Sequence, residues 1–278
     1  MVRLTESAIN IEHLYYRYNG GKLILNDINL SIADNEFVVI AGENGCGKTT
    51  LLKNISGLLR PLQGSIFIRG QNTEKAGVSE IAGKAGFVMQ DPDRQLFSAK
   101  VFDEVSFALK SFGKKEIKEK TEEALTIVGL QDKRDDFPPA LSRADRIKIV
   151  FASVLAMGPQ IIMLDELTAG QDYIGCRLLM DIISGLHQKG YTIILITHNM
   201  NIAAEYGRRL VVMKTGKVYM DGSPREVFSR AEELAQAGIL PPQITRLSQS
   251  LRRRMPLKNE ALTPEELAID LCLIRNRF

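Results

Sequence analysis

The segment 42–50 carries the residue types that bind the phosphate groups of a nucleotide. It reads Gly42, Glu43, Asn44, Gly45, Cys46, Gly47, Lys48, Thr49 and Thr50, and it fits the pattern G-x-x-x-x-G-K-[ST]. The glycines allow successive backbone N–H groups to point at phosphate oxygens, and the helix that follows adds the positive end of its dipole. In such a loop Lys48 reaches the β- and γ-phosphates, and the Thr49 hydroxyl binds Mg²⁺. The segment therefore predicts a nucleotide site.

Two acidic residues stand at the end of a second apolar segment, 161–164. If that segment is a strand of an α/β sheet, Asp165 and Glu166 lie at the sheet edge where ligands bind. Asp165 would then hold Mg²⁺, and Glu166 would orient or deprotonate an attacking water. Two solvated carboxylates are the alternative, but the upstream phosphate loop favours a hydrolytic site.

A glutamine and a histidine follow two further strand candidates. Gln90 follows the segment 86–89, and its amide can contact both Mg²⁺ and the attacking water. His198 follows the segment 191–197, where an imidazole can donate a hydrogen bond to a γ-phosphate. Either side chain alone is also compatible with a structural role. The prediction that they act at the nucleotide site therefore rests on their order in the chain relative to the phosphate loop and the two acidic residues.

Three tyrosines precede a turn in a predicted β-hairpin. Residues 8–33 alternate apolar and polar positions around the turn at 19–21. Tyr18 could stack on an adenine ring, as aromatic side chains do with little base specificity. Tyr15, Tyr16 and Tyr18 could equally pack on a strand. Both interpretations remain open from the sequence.

The hydrophobic pattern predicts an α/β fold. Strands are expected at 37–41, 65–69, 86–89, 161–164, 191–197, 211–213 and 218–220, and helices at 49–56, 102–112, 116–128, 142–157 and 175–189. The helical stretch 101–157 interrupts the alternation and predicts an insertion between two halves of a parallel sheet. Ser223 opens a capping box, and helices are expected after 241–242 and from 263. The last 40 or so residues predict a small helical appendage.

Composition restricts the class of protein. The chain has 278 residues, with 45% apolar and 25% charged residues, which suits one large domain with an appendage or two domains. A net charge of +3 is too small to indicate a nucleic-acid partner, and the basic segment 252–254 fits a solvated helix surface. Cys46, Cys176 and Cys272 lack metal or disulfide spacing. Residues 1–6 lack a signal-peptide core, and the longest apolar run, 149–157, is too short to span a bilayer, so any membrane role is expected to be peripheral.

In this order the motifs resemble the ATP-binding cassette (ABC) ATPase family. The matching pieces are the aromatic Tyr18, the phosphate loop 42–50, Gln90, Leu141 with Ser142, Asp165 with Glu166, the segment 169–172, and His198. The resemblance covers residues 8–235. It implies a P-loop NTPase core with an antiparallel β subdomain, an inserted helical subdomain at about 91–158, and two subunits that hold two ATP molecules between them. Ser142 would contact the ATP of the opposite subunit, and 236–278 would form a C-terminal helical extension.

Three stretches are similar to the ATPases of energy-coupling factor (ECF) transporters, including the cobalt and nickel type. They are 90–107, 154–159 and 234–247. This resemblance implies a peripheral protein at the cytoplasmic face of the membrane, bound to a T-component through its coupling helices, with an S-component that selects a vitamin or metal ion. The region after Gln90 would form the groove for those helices, and the C-terminal helices would help hold the ATPase pair together. The alternatives are the ATPase of a conventional ABC importer and a soluble cassette without a transport role.

The signature loop of the family, residues 141–145 in this chain, departs from the usual pattern. Leu-Ser-Gly-Gly-Gln is replaced by Leu-Ser followed by Arg143, Ala144 and Asp145. A carboxylate at position 145 would repel a nearby phosphate by about 1 to 4 kcal/mol at surface-like dielectric values, and Arg143 is expected to offset this by pairing with Asp145 or with the phosphate. Leu167 and Gln171 also differ from the usual residues. Because the chain's own Lys48, Glu166 and His198 are intact, we expect a heterodimer with two unequal ATP sites.

Overall fold

The structure, a computed structural model, describes residues 7–257 and 259–275. The predictions for residues 1–6 (no signal peptide) and 276–278 (part of the extension) lie outside this range. The described residues form the strands β1 (Ser7–Tyr16), β2 (Leu25–Ala33), β3 (Phe37–Gly42), β4 (Gln63–Ile68), β5 (Gln71–Asn72), β6 (Ala85–Val88), β7 (Ile161–Asp165), β8 (Thr192–Ile196), β9 (Arg209–Lys214) and β10 (Lys217–Gly222). Their helices are α1 (Lys48–Ile55), α2 (Val78–Ala82), α3 (Val101–Ser111), α4 (Ile117–Val128), α5 (Arg143–Ala156), α6 (Tyr173–Gln188), α7 (Met200–Glu205), α8 (Pro224–Ser229), α9 (Ala231–Gln236), α10 (Gln243–Arg252) and α11 (Pro264–Arg275).

A six-stranded sheet in the order β10-β9-β3-β8-β7-β6 forms the centre of the fold. All neighbouring pairs from β9 to β6 are parallel, and β10 is antiparallel to β9. Every residue of β3, β7 and β8 is buried, as expected for strands covered on both sides. The carboxyl ends of β3, β8, β7 and β6 therefore meet at one edge, and the predicted α/β class is confirmed.

A four-stranded antiparallel sheet, β2-β1-β4-β5, forms the predicted β subdomain. Strands β1 and β2 make the predicted hairpin, with Ile11 opposite Leu30. Their apolar side chains share a second core with β3 and α1, which includes Leu14, Ile28, Ile40 and Leu51. This packing joins the hairpin to the strand that leads into the phosphate loop.

Helices α3, α4 and α5 form the inserted helical subdomain between β6 and β7, as predicted. Each buries one side against the others, through residues such as Val105, Leu125 and Phe151. Helix α5 begins at Arg143 because Ser142 caps it: the Ser142 hydroxyl accepts a hydrogen bond from the Asp145 N–H.

The C-terminal part of the chain is helical, as expected. The capping box of Ser223 and Glu226 opens α8. Helices α10 and α11 enclose a small core of their own, formed by Leu257, Ala261, Leu267 and Ile274. In residues 7–257 and 259–275 none of the helices has the length and apolar character needed to cross a bilayer. The boundary between an ATPase domain at 1–235 and an extension at 236–278 stays a prediction.

Candidate nucleotide-binding site

The phosphate loop connects the end of β3 to the start of α1. Gly47 has φ +107°, and a Cβ there would lie 2.9 Å from the Ile24 carbonyl oxygen, so the backbone at this turn requires glycine. The Lys48 ammonium is almost fully buried and donates to the carbonyl oxygens of Gly42 (2.8 Å) and Glu43 (2.9 Å). Glu43, Asn44 and Gly45 are exposed at the tip of the loop. The lysine is thus held on the inner side of a loop whose tip is open.

Cys46 supports the loop from beneath. Its side chain is buried, and its Sγ lies 4.0 Å from Lys48 Nζ. Burial raises the pKa of the Cys46 thiol, although the lysine charge opposes this effect. The Cys46 carbonyl oxygen accepts the N–H of Gly216 from the turn between β9 and β10. The Cys46 side chain thus packs inward, and a contribution of this residue to ligand binding stays a prediction.

Asp165 at the end of β7 carries a buried oxygen without a partner. The residue is 2% exposed, and its Oδ1 has no hydrogen-bond partner among the described residues. Burial raises the pKa of Asp165, and a hydrogen bond from Thr49 together with the charge of Lys48 opposes the rise. Such an oxygen is available to a cation.

The side chains predicted to bind Mg²⁺ line one cavity of about 590 Å³, which contains Thr49, Gln90 and Asp165. They offer a hydroxyl, an amide and a carboxylate, the oxygen donors that Mg²⁺ prefers alongside water and phosphate. The part of the chain that the structure describes contains no group of three or more His, Cys, Asp or Glu able to hold a metal without such help. The residues therefore fit a Mg²⁺ ion that arrives with nucleotide phosphates.

The three predicted catalytic residues meet at the ends of three adjacent strands. Gln90 follows β6, Glu166 follows β7 and His198 follows β8. Gln90 Nε2 donates to Glu166 Oε2 at 2.8 Å, and His198 Nε2 lies 2.7 Å from Glu166 Oε1. The Glu166 side chain is 18% exposed, so water can reach it. Both oxygens of one carboxylate are thus held by side chains from neighbouring strands.

Glu166 also has an unusual backbone. Its φ of +53° lies in the left-handed region, which is uncommon for residues other than glycine. Its N–H donates to the Ile196 carbonyl oxygen of β8. Such conformations persist where the surroundings hold them, and they cluster at functional sites. This turn directs the side chain of Glu166 toward Gln90 and His198.

The tyrosines separate into different environments. Tyr16 is buried, whereas Tyr18, beyond the end of β1, is 45% exposed. The two rings meet edge to face at 5.1 Å, and the Tyr18 hydroxyl lies 3.3 Å from Thr50 Oγ1. Tyr16 therefore packs in the core, while Tyr18 stands beside the start of α1 with ring surface available for stacking.

The signature loop differs from expectation at Asp145. Its carboxylate lies 2.7 Å from Lys133 Nζ and accepts the Ser142 hydroxyl at 2.9 Å. Burial acts to raise the pKa of Asp145, but the bonds from Lys133 and Ser142 outweigh it and lower that pKa. The partner that we expected, Arg143, instead lines the cavity with Thr49 and Asp165. Of the two partners expected for Arg143, Asp145 is paired with Lys133 instead, whereas pairing of Arg143 with a phosphate stays a prediction.

An apolar groove of about 300 Å³ lies where α3 and α5 face β6. Phe97 is 65% exposed, and its ring packs edge to face on Phe107 at 4.6 Å. Glu104 is buried, and its Oε2 accepts the backbone N–H groups of Phe97 (3.0 Å) and Ser98 (2.6 Å). This carboxylate fixes the loop that carries Phe97 and so helps to shape the groove.

Lys133 and Glu104 were not identified from the sequence. Ser142 and Asp145 have the Ser-x-x-Asp spacing of a capping box, which could have indicated that the carboxylate turns back on the helix start. No spacing rule joins Lys133 to Asp145, because a 3₁₀ turn at Pro138–Ala140 and the loop before it separate them. Glu104 resembled any acidic residue in a first helical turn.

Known proteins of one family are similar in sequence to this chain. The sequence pattern of the ABC transporter family matches residues 25–169. An ABC transporter ATP-binding protein of Methanosarcina acetivorans is 42% identical over 253 residues, 90% of this chain and 41% of that relative. This chain spans 41%, 43% and 42% of the length of three such relatives.

Other similar proteins match over nearly their whole length. The energy-coupling factor transporter ATP-binding protein EcfA2 of Caldanaerobacter subterraneus is 39% identical over 269 residues, 93% of this chain and 94% of that protein. The solved structure of cbiO1 from Clostridium perfringens, part of the ABC transporter complex cbiONQ, is 32% identical with a TM-score of 0.74, and the match covers 90% of this chain and 96% of that one.

Proposed function

The chain belongs to the ABC transporter family, and we propose that it is the ATP-hydrolysing subunit of an ECF transporter that takes up a vitamin or a transition-metal ion. The Glu166 carboxylate, held between Gln90 and His198 beside the phosphate loop, carries the catalytic part of the proposal. The full-length similarity to EcfA2 and to cbiO1 supports the transporter type. The protein would act at the cytoplasmic face of the membrane.

Hydrolysis in this site would be an in-line attack of water on the γ-phosphorus, which breaks the bond to the bridging oxygen and releases ADP and phosphate. Glu166 would orient the attacking water, with its carboxylate position fixed by Gln90 and His198. Lys48 would leave the carbonyl oxygens of Gly42 and Glu43 and meet the β- and γ-phosphates. Tyr18 would stack on the adenine ring.

Thr49, Gln90 and Asp165 would hold Mg²⁺. When bound there, Mg²⁺ neutralises charge on the phosphate oxygens. The unpartnered Oδ1 of Asp165 supports this assignment, because a buried carboxylate oxygen without a hydrogen bond or cation is costly.

The groove beside Phe97 would receive the coupling helices of a membrane T-component. Exposed rings of Phe97, Phe107 and Phe112 supply the apolar area that a docking helix buries. An S-component in the same complex would select the transported substrate, so this chain does not determine which vitamin or metal ion is moved.

We also propose that the chain works in a heterodimer with a second ATPase subunit. Its own catalytic residues would face a partner's intact signature loop, while its altered loop, Arg143 to Asp145, would cover the partner's ATP. The site that combines the partner's ATP with this chain's altered loop would bind ATP and hydrolyse it slowly.

The first experiment measures ATP hydrolysis by the purified chain and by its Glu166→Gln variant, with Glu119→Gln as a control on an exposed carboxylate of α4 outside the site. We expect Glu166→Gln to keep ATP binding and to lose nearly all of whatever turnover the chain shows. If the parent chain shows measurable turnover and the Glu166→Gln variant retains it, the catalytic assignment is overturned.

The transporter type is tested by purification from membranes of the source cell. Recovery of a T-component with the chain supports the proposal. Recovery of a conventional permease with a solute-binding protein would identify a different kind of importer, and a chain found only in the soluble fraction would remove the transport role.

The unequal sites are tested by rebuilding the usual signature with Arg143→Gly, Ala144→Gly and Asp145→Gln together. In the assembled transporter we expect the triple variant to raise turnover at the partner's catalytic site. If turnover there is unchanged, the altered loop is not what limits that site.

A further inference from the structure

The start of α5 already holds a negative charge supplied by the chain itself. Asp145 lies in the first turn of the helix, where the helix dipole favours an anion. Its side chain is 15% exposed, and Oδ2 contacts both the Ser142 hydroxyl (2.9 Å) and the Lys133 ammonium (2.7 Å). The position that stabilises an external phosphate at such a helix start is therefore filled by a carboxylate.

The hydroxyl of Ser142 is used twice within this cluster. It accepts the N–H of Asp145 at 3.1 Å and donates to the carboxylate of the same residue at 2.9 Å. A hydroxyl has a single proton to donate. While this bond exists, Ser142 cannot donate to a phosphate outside the loop.

Lys133 contacts the same oxygen of the carboxylate as Ser142 does. It belongs to a 3₁₀ turn at Gln131–Lys133, on a different segment from α5. Hydrogen bonding to Asp145 raises the pKa of Lys133, so the lysine stays charged at neutral pH. The ion pair ties α5 to the turn that follows α4, and it restricts the movement of the carboxylate away from Ser142.

We propose that Lys133 is a positioning residue that holds Asp145 against Ser142 and thereby keeps the Ser142 hydroxyl from donating to a phosphate outside the loop. The loop presents the Ser142 hydroxyl to the ATP of a second subunit only after the carboxylate moves away. This inference deepens the proposed function and rests on the pairing of two ATPase subunits. It attributes the weakened signature loop to one internal contact. This contact acts in addition to the absence of the two glycines that the family has at positions 143 and 144.

The test uses the full chain in the Glu166→Gln background, so that bound ATP persists, and measures ATP-dependent self-association by sedimentation velocity. Asp145→Ala frees the Ser142 hydroxyl and removes the negative charge, and we expect it to tighten ATP-dependent association about tenfold. Lys133→Met removes the bond that holds the carboxylate on Ser142 and so frees the hydroxyl part of the time. We expect association to tighten about threefold, less than with Asp145→Ala, because the carboxylate stays on the loop.

The double variant gives the decisive comparison. If Lys133 acts through Asp145, Lys133→Met has no effect on association in the Asp145→Ala background. Lys110→Met is the matched control, because Lys110 forms a similar pair with Asp103 (3.0 Å) on α3, away from the loop. We expect this control to match its parent in both backgrounds. Thermal unfolding of each variant checks that the fold is retained.

Two results would overturn the proposal. The first is that Asp145→Ala fails to strengthen ATP-dependent association, including the case where no variant associates. The second is an equal effect of Lys133→Met in the presence and in the absence of Asp145. Calorimetric titration with ATP separates these results from a failure of the proposed function, because a chain that binds no ATP would remove the nucleotide site itself.

Discussion

At the scale of single residues, the position of the Glu166 carboxylate is fixed by two neighbouring side chains. Each carboxylate oxygen contacts a different side chain, Gln90 on one side and His198 on the other. Removing one contact leaves the carboxylate free to rotate, and misplacement of a catalytic group costs rate far more than it costs affinity.

We therefore expect His198→Asn to lower the ATP turnover rate about a hundredfold, with little change in ATP affinity. His187→Asn is the matched control, because His187 contacts the Asn35 carbonyl oxygen at the far end of α6. Steady-state kinetics and calorimetric titration give the two quantities. A rise in the ATP dissociation constant with normal turnover would show that His198 contributes to binding instead.

Asp165 shows a conflict between stability and ligand binding. Because burial raises its pKa above the unfolded value, the folded state binds more protons than the unfolded state, and this carboxylate lowers stability as pH rises through its folded pKa. At neutral pH the ionised side chain is thus a cost to the ligand-free fold.

Asp165→Asn should therefore raise the unfolding temperature of the ligand-free protein at neutral pH and weaken the Mg²⁺ dependence of ATP binding. The gain in stability should shrink as the pH is lowered. Thermal unfolding at several pH values and titration with ATP at varied Mg²⁺ concentration measure these effects. A lower unfolding temperature at neutral pH would contradict the burial argument.

At the scale of elements, the groove depends on a loop held by a helix. Glu104, in the first turn of α3, accepts hydrogen bonds from the backbone N–H groups of Phe97 and Ser98. The most exposed phenylalanine of the groove is therefore held through its backbone by a buried carboxylate.

Phe97→Asp should prevent recovery of the membrane T-component with the chain and leave ATP binding unchanged, because a charge on the groove would have to be desolvated by a docking helix. Phe137→Asp provides the control, since Phe137 is 55% exposed in the same subdomain and does not line the groove. Co-purification from membranes compares the two variants. Equal recovery would place the docking surface elsewhere.

At the scale of the whole molecule, helix α10 lines a cavity together with Gly42 and His198 of the nucleotide site. A second cavity of about 660 Å³ is lined by Tyr173 at the start of α6 and by Leu247 on α10. Tyr173 is 75% exposed and Leu247 49% exposed. Exposed apolar side chains grouped in this way are typical of interaction surfaces.

Leu247→Asp should weaken pairing with the second ATPase subunit about tenfold, since a charge replaces apolar contact area. Leu62→Asp is the control, because Leu62 is 52% exposed on the antiparallel β subdomain. Sedimentation of the mixed subunits measures the association. If the two variants pair equally well, the C-terminal helices do not contribute to pairing.

The sequence alone determined the nature of the fold and the identity of its nucleotide loop. Spacing within the segment 42–50 specifies a backbone path, and continuous apolar runs such as 37–41 and 161–164 specify buried parallel strands. These are local properties, because they depend on neighbouring residues and on the period of the hydrophobic pattern. Capping signals, such as that of Ser223, placed helix starts for the same reason.

Only the tertiary structure decided which side chains touch. The order β8-β7-β6 brings His198 and Gln90 to opposite sides of Glu166, and the left-handed backbone of Glu166 orients its carboxylate between them. Strand order results from chain packing over long separations, which no local spacing encodes. The pairing of Asp145 with Lys133 instead of Arg143 follows likewise from the way α4 and α5 pack together.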